Sequence, residues 1–231
     1  MKEENRSKTP EILPVLRNKK EAKQFYDRLS RVYDYSIGTF ERKYAETALR
    51  FLSIEEDETV LEIGFGSGRC LKRIAESAGK TGRVYGIDIS LGMLEVTTRR
   101  LEKAGLLDRV ELCCGDAANL PYQDNIFDVV FMSYTLELFD TPEVPKLLKE
   151  VKRVLKESGR LGVVSISREN GESKALRLYE WVHQKWPKYV DCRPIYLEQS
   201  LRDAGYMIRK KEELKLLRLL PLEIVVAVSG G

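Results

Sequence analysis

The spacing of apolar and polar positions changes once along the chain. Between residues 20 and 52, apolar and aromatic residues recur at helical spacing, which predicts two helices with a break near residues 35–38. From residue 59 onwards, short apolar runs alternate with longer amphipathic segments. Parallel strands need long crossover connections, usually helical, so this alternation predicts a mostly parallel sheet with helices on both faces.

The boundaries of these elements follow from apolar runs, glycines and capping residues. Strands are predicted at 59–63, 83–88, 110–114, 127–132 and 160–167, with a closing strand pair near 206–208 and 222–228. Helices are predicted at 69–78, 91–105, 141–157, 172–186 and 197–205. Ser90 is the expected N-cap of the second of these helices, and Thr141 that of the third, with Pro142 in its first turn.

The chain divides into an arm and one domain. Residues 1–20 are polar, contain Pro10 and Pro14, and are expected to form a flexible arm. Residues 21–231 are expected to form a single domain. Its predicted parts are a helical segment (21–52), a core of alternating strands and helices (59–168), a mainly helical segment (169–205) and a C-terminal strand pair (206–231).

Composition narrows the class of protein. The 231 residues are 43% apolar and 32% charged, as in a soluble globular domain. The formal net charge of +3 is too small to indicate a nucleic-acid partner. Residues 1–8 are charged, unlike a signal peptide, and no apolar stretch is long enough for a bilayer. We therefore expect a cytoplasmic monomer or homodimer, with peripheral membrane contact left open.

The cysteines and the single histidine do not suggest a metal site. Cys70, Cys113, Cys114 and Cys192 show no CxxC spacing, and His183 is the one histidine. We interpret the cysteines as reduced, mostly buried thiols. The alternative is a thiol-dependent enzyme acting on a soft metalloid, which requires three cysteines to converge.

A glycine-rich turn follows the first predicted strand. Gly64, Gly66 and Gly68 allow positive φ and close approach of a ligand to the backbone. The dinucleotide pattern would place its third glycine at position 69, which is Arg69. Glu62 at the strand end disfavours a pyrophosphate and suits a cationic ligand such as the amino group and sulfonium of S-adenosylmethionine. The alternatives are a turn that serves packing alone and an NAD-dependent oxidoreductase.

Two further acids follow the next two strands. Asp88 ends the second strand and is placed to accept hydrogen bonds from ribose hydroxyls, while Asp116 after the third strand is placed to accept from an adenine amine. Their ordinary alternatives are an acid at a helix N-terminus and a turn-capping aspartate. The carboxyl ends of parallel strands meet at one edge of a sheet, so these acids and Glu62 are expected to line one ligand.

These residues resemble a known family. The segments VLEIGFGSG (60–68), GIDIS (86–90), GDA (115–117), FDVV (127–130), EVKRVLK (150–156) and GRL (159–161) are similar to those of class I S-adenosylmethionine-dependent methyltransferases. FYDRLSRVYD (25–34) resembles the ubiquinone/menaquinone C-methyltransferase group. The resemblance implies a doubly wound, mostly parallel, Rossmann-like seven-stranded sheet with an antiparallel last strand and an N-terminal helical lid. It makes residues 21–52 the lid, residues 59–168 the cofactor-binding core and residues 169–205 an insertion on the substrate side.

The resemblance also implies a cofactor, S-adenosyl-L-methionine, with S-adenosyl-L-homocysteine as the product. Tyr33 would close the lid over it, Met93 would pack on the adenine, and Ser133 would line the side of the methyl donor. The full set of implied cofactor positions is Tyr33, Glu62, Gly64, Phe65, Gly66, Gly68, Asp88, Ile89, Met93, Asp116, Ala117 and Ser133.

The acceptor is less defined. The aromatic residues of the lid and the insertion suggest a small apolar or aromatic molecule, with a quinol-type ring carbon or a phospholipid amine as the first candidates. An alternative is a cofactor-binding partner subunit without turnover of its own. The candidate substrate residues are Tyr134, Glu137, His183, Arg193 and Tyr196. Glu137, His183 and Arg193 have ordinary alternatives as a helix-start acid, a packing histidine and a surface ion-pair partner.

Overall fold

Seven strands form one sheet in the computed structural model, which describes residues 12–30, 38–169, 173–186, 191–216 and 219–230. The strands are β1 (Thr59–Ile63), β2 (Arg83–Asp88), β3 (Val110–Cys114), β4 (Phe127–Ser133), β5 (Leu155–Ile166), β6 (Tyr206–Leu216) and β7 (Leu220–Ser229). Their order is β3-β2-β1-β4-β5-β7-β6, and β7 runs antiparallel to both of its neighbours. The predicted topology, with an antiparallel last strand, is therefore confirmed.

Seven α-helices accompany the sheet within the described residues. They are α1 (Lys19–Leu29), α2 (Gly38–Leu52), α3 (Arg69–Ser77), α4 (Leu91–Ala104), α5 (Val144–Val154), α6 (Lys174–Lys185) and α7 (Leu197–Asp203). Short 3₁₀ turns lie at Leu107–Arg109, Ala117–Asn119 and Leu136–Leu138. None of the helices described combines the length and the apolar character needed to cross a membrane.

The sheet separates two apolar clusters, as its pleat requires. Val60 and Leu61 are adjacent on β1 and both fully buried, yet they belong to opposite clusters. Side chains of α2, α3 and α4 pack in the cluster with Val60, while those of α5 and α7 pack in the cluster with Leu61. Burial on both faces explains why the central strands read as continuous apolar runs in the sequence.

Several local predictions are confirmed. The bounds predicted for β1, β2 and β3 are those observed. Ser90 caps α4, since its side chain accepts a hydrogen bond from the Met93 amide at 3.1 Å. Gly105 ends that helix in the left-handed region, with φ of +65°.

The helix predicted at 141–157 is wrong at both ends. The Asp140 carbonyl accepts from the amides of Glu143 (2.8 Å) and Val144 (3.2 Å), which makes a turn, so that α5 starts at Val144 rather than after a Thr141 cap. Leu155 already pairs with Phe127 on β4, so the last predicted helical residues belong to β5. The β6 strand is also longer than predicted, because it forms a hairpin with β7 along most of its length.

Residues 12–18 lie against the body of the protein. The Leu13 carbonyl accepts from Arg193 at 2.9 Å, and the Val15 amide donates to Asp140 at 3.4 Å. Asn18 and Glu21 form a reciprocal capping box, each contact being 3.0 Å, that starts α1. These contacts place the last part of the predicted arm on the rim of the sheet, and the mobility of residues 1–20 stays a prediction.

Arg153 on α5 holds the loop that leads into β4. Its guanidinium donates to the carbonyls of Leu120 (3.1 Å) and Tyr122 (2.8 Å) and to the carboxylates of Asp124 (2.7 Å) and Glu150 (2.8 and 2.9 Å). Glu150 in turn accepts from the Leu120 amide at 2.9 Å. The pair thereby fixes the chain that follows the third strand.

We predict that Arg153→Ala lowers the free energy of unfolding by about 2–4 kcal/mol, because several partly buried acceptors lose a charged donor together. Urea denaturation measures this. The control is Arg202→Ala on α7, whose ion pair with Glu198 is exposed and whose loss should cost about 0.5 kcal/mol or less. Equal losses in the two variants would contradict a structural role for the Arg153 network.

Candidate functional site

A cavity of about 580 Å³ lies at the carboxyl edge of the sheet. Its wall combines the ends of β1 and β2, the segments that follow β3 and β4, and the segment that runs into α1. The residues that line it are Val15, Arg17, Asn18, Lys19, Ala22, Tyr26, Ile63, Gly64, Gly66, Ile87, Asp88, Ile89, Met93, Gly115, Asp116, Ala117, Tyr134, Thr135, Leu138, Phe139, Asp140, Pro142 and Glu143. The position is the one that a doubly wound sheet offers to ligands.

Glu62 is a buried carboxylate two residues before the cavity-lining Gly64. The residue is 2% exposed, and its Oε2 atom has no hydrogen-bond partner among the described residues. Burial raises the pKa of Glu62 well above its ordinary value, and the nearby charge of Asp88 raises it further. The site therefore holds an acid that a cationic ligand would stabilise in its ionised form.

Asp88 joins the end of β2 to the glycine-rich turn. Its Oδ2 accepts from the Gly66 amide and its Oδ1 from the Ser90 amide, both at 2.9 Å. Burial raises the pKa of Asp88 to about 6, with a contribution from Asp27, although the two amide hydrogen bonds act in the opposite direction. Each oxygen keeps a lone pair that can accept from a ligand hydroxyl.

The three glycines of the turn have different surroundings. All have positive φ, namely +72° at Gly64, +50° at Gly66 and +74° at Gly68. A Cβ on Gly64 would overlap the side chain of Thr135, and one on Gly68 would overlap that of Thr97. A Cβ on Gly66 would meet nothing within 4 Å, so this backbone faces open space in the cavity.

Asp116 forms an ion pair with the Lys19 ammonium group at the rim of the cavity. Lys19 Nζ lies 2.7 Å from Oδ2 of Asp116 and 2.6 Å from Oε1 of Glu143. Oδ1 of Asp116 accepts a hydrogen bond from the Ala118 amide at 3.0 Å. Burial is the largest single influence on Asp116 and disfavours its ionisation, but the hydrogen bonds from Lys19 and the Ala118 amide and the charges of Lys19 and Lys146 together outweigh it and lower the pKa of Asp116 below its ordinary value. The carboxylate is therefore ionised and open to donors.

The structure brings most of the predicted cofactor residues together. Gly64, Gly66, Asp88, Ile89, Met93, Asp116 and Ala117 all line the main cavity. A smaller cavity of about 260 Å³ shares Gly64 and Gly66 and is also lined by Phe65 and Ser133. Glu62 lines neither cavity and is buried behind the turn. Gly68 also lines neither cavity and instead allows α3 to pack on α4. Tyr33 lies outside the described residues.

Of the five substrate candidates, Tyr134 alone lines the main cavity. It has a φ of +52°, which is rare for a residue other than glycine, and it is 7% exposed. Its amide donates to the Val164 carbonyl at 2.9 Å, which holds the residue directly after β4. Backbone strain of this kind is common at functional sites.

The other four candidates lie elsewhere. Glu137 is fully buried, and its Oε1 accepts from the Ile166 amide at 3.3 Å. His183 is 1% exposed on the inner face of α6, and Tyr196 precedes α7 and accepts from the Ser200 amide. None of these three, nor Arg193, lines either of the two cavities.

Arg193 is a structural hub rather than a surface cation. It is fully buried, and its guanidinium donates to the carbonyls of Leu13, Glu137 and Phe139 and to the hydroxyl of Thr141. Burial lowers the pKa of Arg193 below its ordinary value. The residue orders the loop after β4 and so supports the cavity wall from behind.

Sequence reasoning missed the residues that the N-terminal segment contributes. Arg17, Asn18, Lys19, Ala22 and Tyr26 line the cavity. The capping pattern of an asparagine followed three residues later by a glutamate marks the start of α1 and could have located part of this wall. The contact between Lys19 and Asp116 spans 97 positions and has no local signal.

The cofactor implied by the resemblance fits the cleft on three observations. A buried, unpartnered carboxylate oxygen on Glu62 suits a cationic group. The open backbone at Gly66 leaves room for a close approach, and the acids of β2 and of the segment after β3 can accept from hydroxyl and amine donors. The described residues contain no group of three or more histidine, cysteine, aspartate or glutamate side chains placed to hold a metal ion.

Comparison with known proteins agrees with this geometry. Residues 60–159 match the model of a family described as a methyltransferase domain. The chain is 30% identical over 186 residues to the 2-phytyl-1,4-naphtoquinone methyltransferase of Trichormus variabilis, covering 78% of this chain and 76% of that protein. It is 29% identical over 210 residues to the demethylmenaquinone methyltransferase of Staphylococcus epidermidis, covering 91% and 76%.

A solved structure shares the fold. The SAM-dependent methyltransferase from Aquifex aeolicus superposes with a TM-score of 0.60 and 26% sequence identity, covering 80% of this chain and 89% of the other.

The two raised pKa values predict how stability depends on pH. The pKa of Asp88 is about 6 in the folded protein against an ordinary 3.8, so the folded chain holds a proton that the unfolded chain releases. The free energy of unfolding should therefore fall by up to about 3 kcal/mol as the pH rises from about 4 to about 6. Glu62 should extend this loss to higher pH. Urea denaturation of the ligand-free protein from about pH 4 to about pH 8 measures the slope.

Glu62→Gln should raise stability at pH 7 and flatten the slope above about pH 6, because it removes a buried ionisable group whose charge Asp88 disfavours. The control is Asp108→Asn, at an exposed position, which should keep the wild-type slope. A slope in Glu62→Gln equal to that of the wild type would mean that this carboxylate does not carry the effect.

Proposed function

Because the chain belongs to the class I S-adenosylmethionine-dependent methyltransferases, we propose that it transfers the methyl group of this cofactor to a quinol-type ring carbon. S-adenosylmethionine is the cofactor, as in the family. The observation that carries the proposal is a buried Glu62 oxygen that has no hydrogen-bond partner among the described residues, together with the open backbone of Gly66 on a cavity of about 580 Å³. The alternative of an NAD-dependent oxidoreductase is set aside, because the chain belongs to the methyltransferases.

Each part of the cofactor has a complementary group in the cleft. In the proposed binding mode, Glu62 compensates the positive charge of the methionine part, and Gly66 lets that part approach the backbone. Asp88 accepts from the ribose hydroxyls, and Met93 packs on the adenine. Asp116 accepts from the adenine amine, in which case the Lys19 ammonium keeps its contact with Glu143.

The acceptor would occupy the part of the cavity formed by α1 and the segment after β4. Ala22, Tyr26, Tyr134 and Leu138 give this wall an apolar and aromatic character. Such a wall suits an acceptor with a flat aromatic ring better than a charged acceptor. The named relatives are a 2-phytyl-1,4-naphtoquinone methyltransferase and a demethylmenaquinone methyltransferase, which supports a naphthoquinol-type acceptor.

The main contribution of the protein to methyl transfer would be to align the acceptor with the methyl group. The bound cofactor supplies a methyl group already activated by a positively charged sulfur. The walls of the cavity bring the acceptor carbon into line with it, which lowers the entropic part of the barrier. The segment from Val15 to Tyr26 covers the site and limits access of water. When the ring carbon takes the methyl group, S-adenosylhomocysteine leaves and the proton of that carbon passes to water. Ionisation of a quinol hydroxyl makes the ring carbon a better nucleophile, so the reaction is expected to be faster as the quinol ionises.

We predict that Gly66→Ala lowers the affinity for S-adenosylhomocysteine by at least about tenfold, because the added methyl group enters the ligand's space. Isothermal titration calorimetry measures this. Gly105→Ala is the matched control, since Gly105 also has a positive φ, +65°, and also faces open space. Both variants should lose about 1 kcal/mol of stability from the left-handed backbone, and only Gly66→Ala should lose affinity. Equal affinities would remove Gly66 from the cofactor site.

The acceptor is tested by incubating the protein with methyl-labelled S-adenosylmethionine and either a reduced, short-tailed demethylnaphthoquinone or phosphatidylethanolamine. Mass spectrometry should find the label on the quinone ring carbon. Tyr134→Ala should lower kcat/KM by about 10- to 100-fold while changing the affinity for S-adenosylhomocysteine less than about threefold. The control is Asn125→Ala, since Asn125 also has a positive φ, +55°, but lies in the turn before β4.

Label on the amine would replace the quinol by a phospholipid acceptor. Binding of S-adenosylhomocysteine without labelling of either molecule would instead favour a cofactor-binding partner subunit. An unchanged kcat/KM in Tyr134→Ala would remove this residue from the acceptor wall.

A further inference from the structure

The outer face of α6 presents large apolar side chains to solvent. Leu178 is 62% exposed, Trp181 is 48% exposed, and Trp186, directly after the helix, is 50% exposed. The two tryptophan rings pack edge to face, with centroids 5.3 Å apart and an interplanar angle of 87°. Exposed aromatic groups of this size usually mark a surface that meets a partner or a lipid.

The charge on this face has one sign. Lys174, Arg177 and Lys185 are exposed, and Glu180 is the one acid within the helix. The side chain of Glu180 is only 13% exposed, because it turns inward and binds Arg168 at 2.5 and 3.1 Å. The helix therefore offers solvent three cations and no carboxylate.

The helix is firmly attached behind that face. Leu176 and His183 are buried beneath it, and the Tyr179 hydroxyl donates to the Cys192 carbonyl at 3.0 Å. The tryptophans are thus presented by a packed element. An exposed apolar patch on such an element is available for contact without prior unfolding.

Tryptophan rings prefer the interface between hydrocarbon and water, and lysine and arginine side chains are attracted to anionic headgroups. A face that combines both, with the apolar groups between the cations, matches an anionic bilayer surface. We propose that the outer face of α6, formed by Lys174, Arg177, Leu178, Trp181, Lys185 and Trp186, docks this protein on anionic lipid membranes.

The helix that carries the docking face is linked to the cavity wall. Asp191, next to Cys192, accepts from the Tyr26 hydroxyl at 2.5 Å, and Tyr26 lines the cavity. A short chain of contacts therefore joins α6 to the wall of the acceptor site. The purpose of docking rests on the proposed function, because an apolar acceptor would be dissolved in the bilayer. Binding of the docking face to lipid is measured without any acceptor.

Intrinsic fluorescence reports on this surface directly, because Trp181 and Trp186 are the two tryptophans of the whole chain. The full-length protein is titrated with vesicles of phosphatidylglycerol and phosphatidylcholine, and with vesicles of phosphatidylcholine alone. The anionic vesicles should shift the emission to shorter wavelength, and brominated lipid should quench it. Vesicle sedimentation gives the partition coefficient.

Charge reversal on the docking face should weaken binding. The triple variant Lys174→Glu, Arg177→Glu, Lys185→Glu is expected to lower the partition coefficient at least about tenfold. The matched control carries Lys80→Glu, Arg99→Glu and Lys103→Glu, which are exposed on other elements and change the net charge equally. Its coefficient should fall less than about threefold. The variant Trp181→Ala, Trp186→Ala should bind weakly in sedimentation while retaining the wild-type circular dichroism spectrum.

Three outcomes would overturn the proposal. They are an emission spectrum unchanged by anionic vesicles, an equal loss of binding in both charge-reversal variants, and a spectral shift that follows protein concentration without lipid, which would indicate a second copy of the chain. Affinity for S-adenosylhomocysteine, measured in the same samples, separates these results from a failure of the methyltransferase assignment.

Discussion

The burial of two carboxylates at the ends of neighbouring strands is the constraint on which the site depends. Glu62 on β1 and Asp88 on β2 both have raised pKa values, and Asp88 contributes to the shift of Glu62. A buried charge without a compensating partner costs free energy, and the described residues leave Glu62 Oε2 without one. The buried carboxylates thus lower the free energy of unfolding near neutral pH, and a cationic cofactor bound beside them would offset this loss. The same arrangement is unfavourable for a pyrophosphate, so it also contributes to selectivity.

Carboxylates also attach the N-terminal segment to this edge of the sheet. Asp27 accepts from the Ser90 hydroxyl at 2.6 Å and the Gly92 amide at 2.9 Å, and so completes the cap of α4. Lys19 binds Asp116 at the opposite side of the cavity. Gly92 permits the close approach, since a Cβ there would meet the Asp27 backbone at 2.9 Å. Because acids that hold α1 and acids that we assign to the cofactor share one edge, we expect cofactor binding and the placement of α1 to be coupled.

The features that the sequence predicted correctly are those set by neighbouring residues in the chain. The bounds of β1, β2 and β3 follow from apolar runs ended by acids and glycines, and Ser90 caps α4 as its sequence position indicates. The predictions failed where distant contacts decide. Arg193 was a substrate candidate with a surface ion pair as its alternative, but it is buried because carbonyls from two distant segments, at Leu13 and at residues 137–139, accept from its guanidinium. The role of Lys19 likewise depends on a carboxylate 97 positions away, which no periodicity reveals.

A membrane contact would also solve a transport problem that the proposed acceptor creates. Moving a hydrocarbon chain from lipid into water costs about 0.8 kcal/mol for each methylene group, so a long-tailed quinol does not cross water readily. A site that reacts with its ring must receive the head while the tail stays in the bilayer. The cavity of this protein is lined by α1, and α1 contacts the segment that Tyr179 of α6 holds in place. If α6 lies on the membrane, the acceptor wall is joined to the docked helix through this one segment, which favours delivery of the ring from the bilayer over delivery through water.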